Sequence, residues 1–233
     1  MKKPYLEKFS DVSDFAVWVV DGFYIRNNLN REFTNFGQHY RFPFVPKYEF
    51  WIDKEHLTHE EYFYINHMLT EWFLMDNGVD YDTAIGKADR KELAERKKTI
   101  LMQKVDGRKA QTSDKAVKEV YVKRIDGYKD VVDVWMVNGE VVRGAYFIDF
   151  TEGGHHFVYA FVPDKEVWID GDLNPDEMPF VLLHELHERF LMAQGMDYSH
   201  AHASSSAIEY KCRRAPELLN ENIKAELERN TAI

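Results

Sequence analysis

Residues His184-Glu185-Leu186-His187-Glu188 put two imidazoles and two carboxylates into little more than one turn of an apolar segment. On a helix His184 and Glu188 are neighbours on one face, with Phe180, Val181, Leu191 and Met192 around them. Apolar residues recur nearly all the way round this segment, which predicts a largely buried helix. An ionised carboxylate in such surroundings costs several kcal/mol unless it is paired or bound to a metal, so Glu188 requires compensation. His202 and Glu209 lie seven positions apart and share a face of the following segment. A helical hairpin closed at Gly195 brings that face towards His184 and Glu188. Such a set suits a divalent cation, Zn²⁺ first and Mn²⁺ or Fe²⁺ as alternatives, and one ion would balance two glutamates. The competing use of the same residues is a satisfied polar cluster that joins two helices. Helical spacing leaves open whether Glu188 or His187 faces the ion.

A Trp-Ile-Asp strand, a short acidic turn and an apolar helix carrying His-Glu resemble the layout of zincin-type metallopeptidases, whose helix reads His-Glu-x-x-His. The resemblance spans about 50 residues of each copy of a repeat, described next, and departs from the motif where Glu188 replaces the second histidine. It implies that His184 is a metal ligand, that Glu185 is the general base for a metal-bound water, and that His202 or Glu209 is the downstream ligand. The segment His-Glu-Leu-His-Glu after Trp-Ile-Asp also resembles uncharacterised bacteriophage-encoded proteins. A peptide or amide bond is the substrate that the peptidase resemblance implies.

The chain contains its own comparison. Residues 17–96 align with residues 134–213 at a constant offset of 117, without a gap, and 30 of the 80 pairs are identical. A period this long marks a duplicated domain and not a solenoid. The first copy keeps His67, Glu71 and Glu92 opposite His184, Glu188 and Glu209. It carries Met68 opposite Glu185, Thr70 opposite His187 and Ile85 opposite His202. The general base exists only in the second copy, so any catalysis belongs there and the first repeat is degenerate.

These residues need a scaffold, and the expected one is α+β: a tandem duplication of a small unit, an antiparallel sheet followed by two helices. The expected division is 1–96 for the first repeat, 97–127 for a basic connector and 128–233 for the second repeat with a C-terminal helix. In the second copy, strands are expected at 132–137, 140–143, 146–150, 157–162 and 166–169. Asn138-Gly139 and its counterpart Asp21-Gly22 read as tight hairpin turns. Helix starts are expected at Asn174-Pro175-Asp176-Glu177, at the Thr58-x-x-Glu61 capping box, and at Ser199 and Asp82; Gly195 and Gly78 read as helix stops. A further helix is expected over 217–230. Arg26 and Arg143 are candidates to pair buried Asp53 and Asp170, Tyr81 and Tyr198 read as packing residues, and His156 and His39 follow a glycine-rich bend.

The formal charge of -10 argues against a general nucleic-acid binder. The connector departs from this, with nine Lys or Arg against four Asp or Glu; through Lys97, Lys98, Arg108 and Lys109 it is the one segment suited to phosphate. A single cysteine, Cys212, excludes an intramolecular disulfide and a thiolate zinc cluster. No run approaches a membrane span, and the expected location is the cytoplasm, or the host cytoplasm or the virion if the chain is phage-encoded. The alternative function class is a non-catalytic interaction or assembly protein whose acidic surfaces meet a basic partner.

Overall fold

The computed structural model describes residues 3–56, 59–109 and 117–233. The chain divides into two compact units, Met1–Gln103 and Lys104–Ile233, and the α+β architecture is as expected. The first unit runs β1 (Tyr5–Val12), β2 (Phe15–Val20), α1 (Gly22–Asn28), β3 (Phe36–Gln38), β4 (Glu49–Asp53), α2 (Glu61–Asp76) and α3 (Tyr81–Arg96). Its sheet has the order β1-β2-β4-β3. The outer pairs are antiparallel, as expected, whereas the central β2–β4 pair is parallel, with Trp18 opposite Trp51. One sheet face buries Phe15, Val17, Phe50 and Ile52 against Tyr64, Met68 and Trp72 of α2. The other buries Trp51 with Ile25, Phe33, Phe42 and Val45.

Helix α4 (Ile100–Lys109) spans the division between the units. The second unit repeats the plan as β5 (Tyr121–Ile125), β6 (Asp133–Val137), α5 (Gly139–Ala145), β7 (Gly153–His155), β8 (Glu166–Asp170), α6 (Met178–Ala193) and α7 (Tyr198–Arg214). It adds α8 (Leu219–Asn230) where the final helix is expected. The strand order β5-β6-β8-β7 and the parallel Trp135–Trp168 pair match the first sheet. The stretch read as a connector therefore supplies α4 and an edge strand; its residues 110–116 lie outside the described residues, as does Thr58 of the expected capping box. Among the described residues no helix is long and apolar enough to cross a membrane.

Several local expectations are corrected. Asp21 and Asn138 do not open hairpins; each caps a short helix, its side chain accepting from the backbone N–H of Tyr24 or Val141 at 3.1 Å. Asp-Gly and Asn-Gly suit a hairpin turn and a helix start equally, and a long-range contact decides. A Cβ on Gly22 would stand 1.6 Å from Asp53 Oδ2, and one on Gly139 would stand 2.1 Å from Asp170 Oδ2. Those carboxylates pair with Arg26 and Arg143 at 2.7 and 2.6 Å, as anticipated, with all four side chains buried. The strand expected over 140–143 is thus helix α5, and 146–150 and 157–162 form turns around an aromatic cluster of Phe150, Tyr159 and Phe161. Asn174 makes a turn to the Asp176 N–H ahead of α6 instead of capping it. The caps of α3 and α7 are Asp80 and Asp197, two residues before the expected ones. Gly78 and Gly195 end α2 and α6 at φ of +82° and +90°, the left-handed conformation that glycine adopts at low cost.

Candidate metal centre

Helix α6 is buried on every side from Phe180 to Arg189 because the sheet, α7 and α8 enclose it. Its ionisable residues divide by direction. His184, Glu185 and Glu188 face β7 and α7. His187 and Arg189 face α8, where His187 Nδ1 lies 2.9 Å from Glu226 Oε1, and Arg189 donates to Asn230 Oδ1 at 2.6 Å. The other ring nitrogen of His187 meets Ser204 Oγ at 3.0 Å. His187 thus fastens α8, and Glu188 faces His184 and His202. His200 is exposed and pairs with Asp197.

Three donor atoms converge. His202 Nδ1 lies 3.0 Å from Glu188 Oε2 and 3.2 Å from His184 Nε2, and His184 Nε2 lies 3.7 Å from Glu188 Oε2. For donors about 2.0–2.1 Å from a tetrahedral ion the mutual separations are roughly 3.3–3.4 Å, close to these. The other nitrogen of His184 is held from behind. Its Nδ1 stands 2.8 Å from Glu209 Oε2, while Glu209 Oε1 accepts from Arg213 Nε at 2.7 Å. Arg213 donates in turn to buried Glu177 at 2.6 Å and lies over the Phe180 ring. Glu209, expected as a ligand, stands behind His184 instead: a carboxylate on Nδ1 points Nε2 into the cluster.

Glu185 and His155 complete the surroundings. Glu185 is buried, and its Oε2 has no hydrogen-bond partner among the described residues. Burial and the neighbouring Glu188 charge push its carboxyl up to about 8, against an opposing effect of His184. Glu188 is held low: its burial would raise it, and contacts with His155, His184 and His202 overcome that. His184 rises because its bonds to Glu188 and Glu209 outweigh burial, whereas burial lowers His155. His155 Nε2 is 3.3 Å from Glu188 Oε1, though not aligned for a hydrogen bond. A cleft of about 70 Å³ opens onto His184, Glu185, Glu188 and His202, bounded by Gly154, Tyr159 and Tyr198. Tyr198 is half-exposed and stacks on His202 at 5.3 Å, so it borders the site and is not the packing residue expected.

His155 is the residue that sequence reasoning passed over in favour of His156. His155 is the last residue of β7 and reaches Glu188 of α6, whereas His156 lies in the turn beyond the strand. The signal was in the repeat, where His156 matches His39 but His155 matches Gln38.

The first unit has the same frame without the same centre. His67 Nδ1 meets Glu92 Oε2 at 2.8 Å, Glu92 Oε1 accepts from Arg96 at 2.8 Å, and Arg96 also pairs with Glu60. His67 Nε2 lies 3.9 Å from Glu71. Phe36 stands where the second unit has Gly153, and its ring packs 5.1 Å from that of His67. In the second unit a Cβ on Gly153 would come within 2.9 Å of Val181 and 3.1 Å of Glu185; glycine lets β7 lie close on α6. Thus Gly153, His155, Glu185 and His202 distinguish an open centre from a filled one. Comparison of the chain with known family models, curated proteins and solved structures gives no match.

Proposed function

We propose that the second unit is a metal-dependent hydrolase centre in which His184, Glu188 and His202 hold a divalent cation, Zn²⁺ by preference. One observation carries this reading. With Nδ1 of His184 held at Glu209, its Nε2 meets His202 Nδ1 at 3.2 Å and Glu188 Oε2 at 3.7 Å, and His202 Nδ1 meets the same carboxylate oxygen at 3.0 Å. Two imidazole nitrogens and a carboxylate oxygen at these separations form a donor set that one divalent cation satisfies at once, in place of the proton that His184 otherwise carries. Glu185, with an unpartnered oxygen beside the cleft, takes a proton from a water held at the ion. It returns that proton to the leaving nitrogen as the C–N bond of an amide breaks. The first unit, with Met68, Ile85 and Phe36 in place of Glu185, His202 and Gly153, is a non-catalytic companion.

Elemental analysis of the full chain purified without added metal tests the proposal. Bound zinc that is lost in His184→Ala and Glu188→Ala is expected, together with cleavage of a fluorogenic peptide library that Glu185→Gln abolishes. Protein without bound metal overturns it and leaves a polar cluster whose use is to join α6 to α7, as its counterpart joins α2 to α3.

A further inference from the structure

Resting on the His184–Glu188–His202 site of that reading, and giving Glu185 a different role, we propose that the centre takes two divalent cations, with Glu188 as the bridge between them. Oε2 of Glu188 completes the His184–His202 site, and Oε1 completes a second site with His155 and Glu185. The donor atoms of His155, Glu185 and Glu188 lie within 4.8 Å of one another, the same limit that encloses the first trio. All three residues of the second set are buried. The two oxygens of Glu188 point different ways, Oε2 at 3.0 Å from His202 and Oε1 at 3.3 Å from His155.

A separate observation indicates that the second set awaits a ligand. His155 is fully buried, and among the described residues neither of its ring nitrogens has a hydrogen-bond partner; Glu185 Oε2 likewise has none. Buried polar atoms are rarely left unmet, and here His155 and Glu185 each bring a donor atom within 4.8 Å of Glu188. The first unit supplies the contrast. Its Gln38, in the place of His155, accepts from the Tyr40 N–H at 2.7 Å and approaches Met75 Sδ at 4.0 Å, and Met68 removes the second carboxylate altogether.

Two ions bridged in this way stand about 3.5–4 Å apart and can share one water, which they acidify without a separate base. Glu185 is then a ligand and not a proton acceptor, so the two descriptions of this residue are exclusive. The substrate class is one whose reacting centre can span both ions, an amide carbonyl with an adjacent amine or a phosphoester.

Metal stoichiometry decides. The full chain is loaded with Zn²⁺, dialysed against metal-free buffer and analysed, with circular dichroism as a check on folding. Two zinc ions per chain are expected, falling to one in His155→Gln and to one in Glu185→Gln. The isosteric glutamine at 185 keeps the test decisive should the change at 155 unfold the unit. Manganese-loaded protein should give the spectrum of an exchange-coupled pair, lost in both variants. A single ion in the native chain, unchanged by either substitution, overturns the second site and leaves the proposed function standing. Two ions retained by both variants also overturn it, because the second would lie elsewhere. No ion at all refutes the underlying reading.

Discussion

Replacing Glu209 by glutamine should weaken metal binding about tenfold without touching a ligand. Glu209 Oε2 receives the Nδ1 proton of His184 at 2.8 Å, and that bond sets which nitrogen faces Glu188 and His202. A hydrogen bond to a charged group contributes roughly 1.5–3 kcal/mol and a neutral one about 0.5–1.5, so the amide forfeits about 1–1.5 kcal/mol of orientation. At about 1.4 kcal/mol per factor of ten this corresponds to a five- to tenfold loss, at the lower edge of the roughly 10–100-fold typical for groups behind a ligating histidine. The assay is competition for Zn²⁺ against a chromophoric chelator. The duplication provides the control: Glu92 makes the same two bonds, to His67 at 2.8 Å and to Arg96 at 2.8 Å. Glu92→Gln should therefore lower stability much as Glu209→Gln does and leave zinc affinity unchanged. Equal affinities for native and Glu209→Gln protein, or an equal loss in Glu92→Gln, would refute the orienting role.

Three more outcomes follow from the geometry. Gly22→Ala and Gly139→Ala should each destabilise their unit by roughly 3–5 kcal/mol, the range for breaking a buried ion pair, because the new methyl displaces the Asp53 or Asp170 carboxylate; urea unfolding measures this. His67 is raised in the folded chain because bonding to Glu92 and the charges of Glu71 and Asp89 overcome burial. Its stabilising effect is complete below about 6.5, the unfolded value, and is lost as pH rises through the folded value. Urea midpoints of the native chain relative to His67→Gln should accordingly fall with rising pH above about 6.5; a difference independent of pH would count against the assignment. Asn230→Ala removes a partner of Arg189 and of the Leu186 carbonyl, and should raise amide exchange in α8 while leaving α7 protected.

The repeat, the helical hairpin and the membership of His184, Glu188 and His202 were legible in the sequence because helical spacing and one glycine stop determine which residues share a face. Glu209 was legible as a neighbour but not in its job. Spacing brings it to His184, while the side of the ring it meets depends on the packing angle of α7 and on Arg213. The Asp-Gly and Asn-Gly pairs misled because the contact that decides between turn and helix comes from Asp53 and Asp170, more than 30 residues away. Strand β1 escaped notice because it is mostly solvent-exposed and carries charged residues, leaving little apolar alternation to read. His155 was hidden by the brevity of β7: three residues are too few for a period to show.

Helix α8 has a consequence for the order in which the protein is made. The residues that satisfy α6 on its far side arrive late, Asn230 coming 41 positions after Arg189. At about 5–20 residues per second, a ribosome takes roughly 2–8 s to cover that distance. During this interval the first unit has everything it needs to close, while Arg189 and His187 of α6 have only their partners Asp164 and Ser204 and still lack Asn230 and Glu226. Vectorial synthesis thus sets the two copies on different schedules, and the nascent second unit is the one exposed to mispairing or to a chaperone.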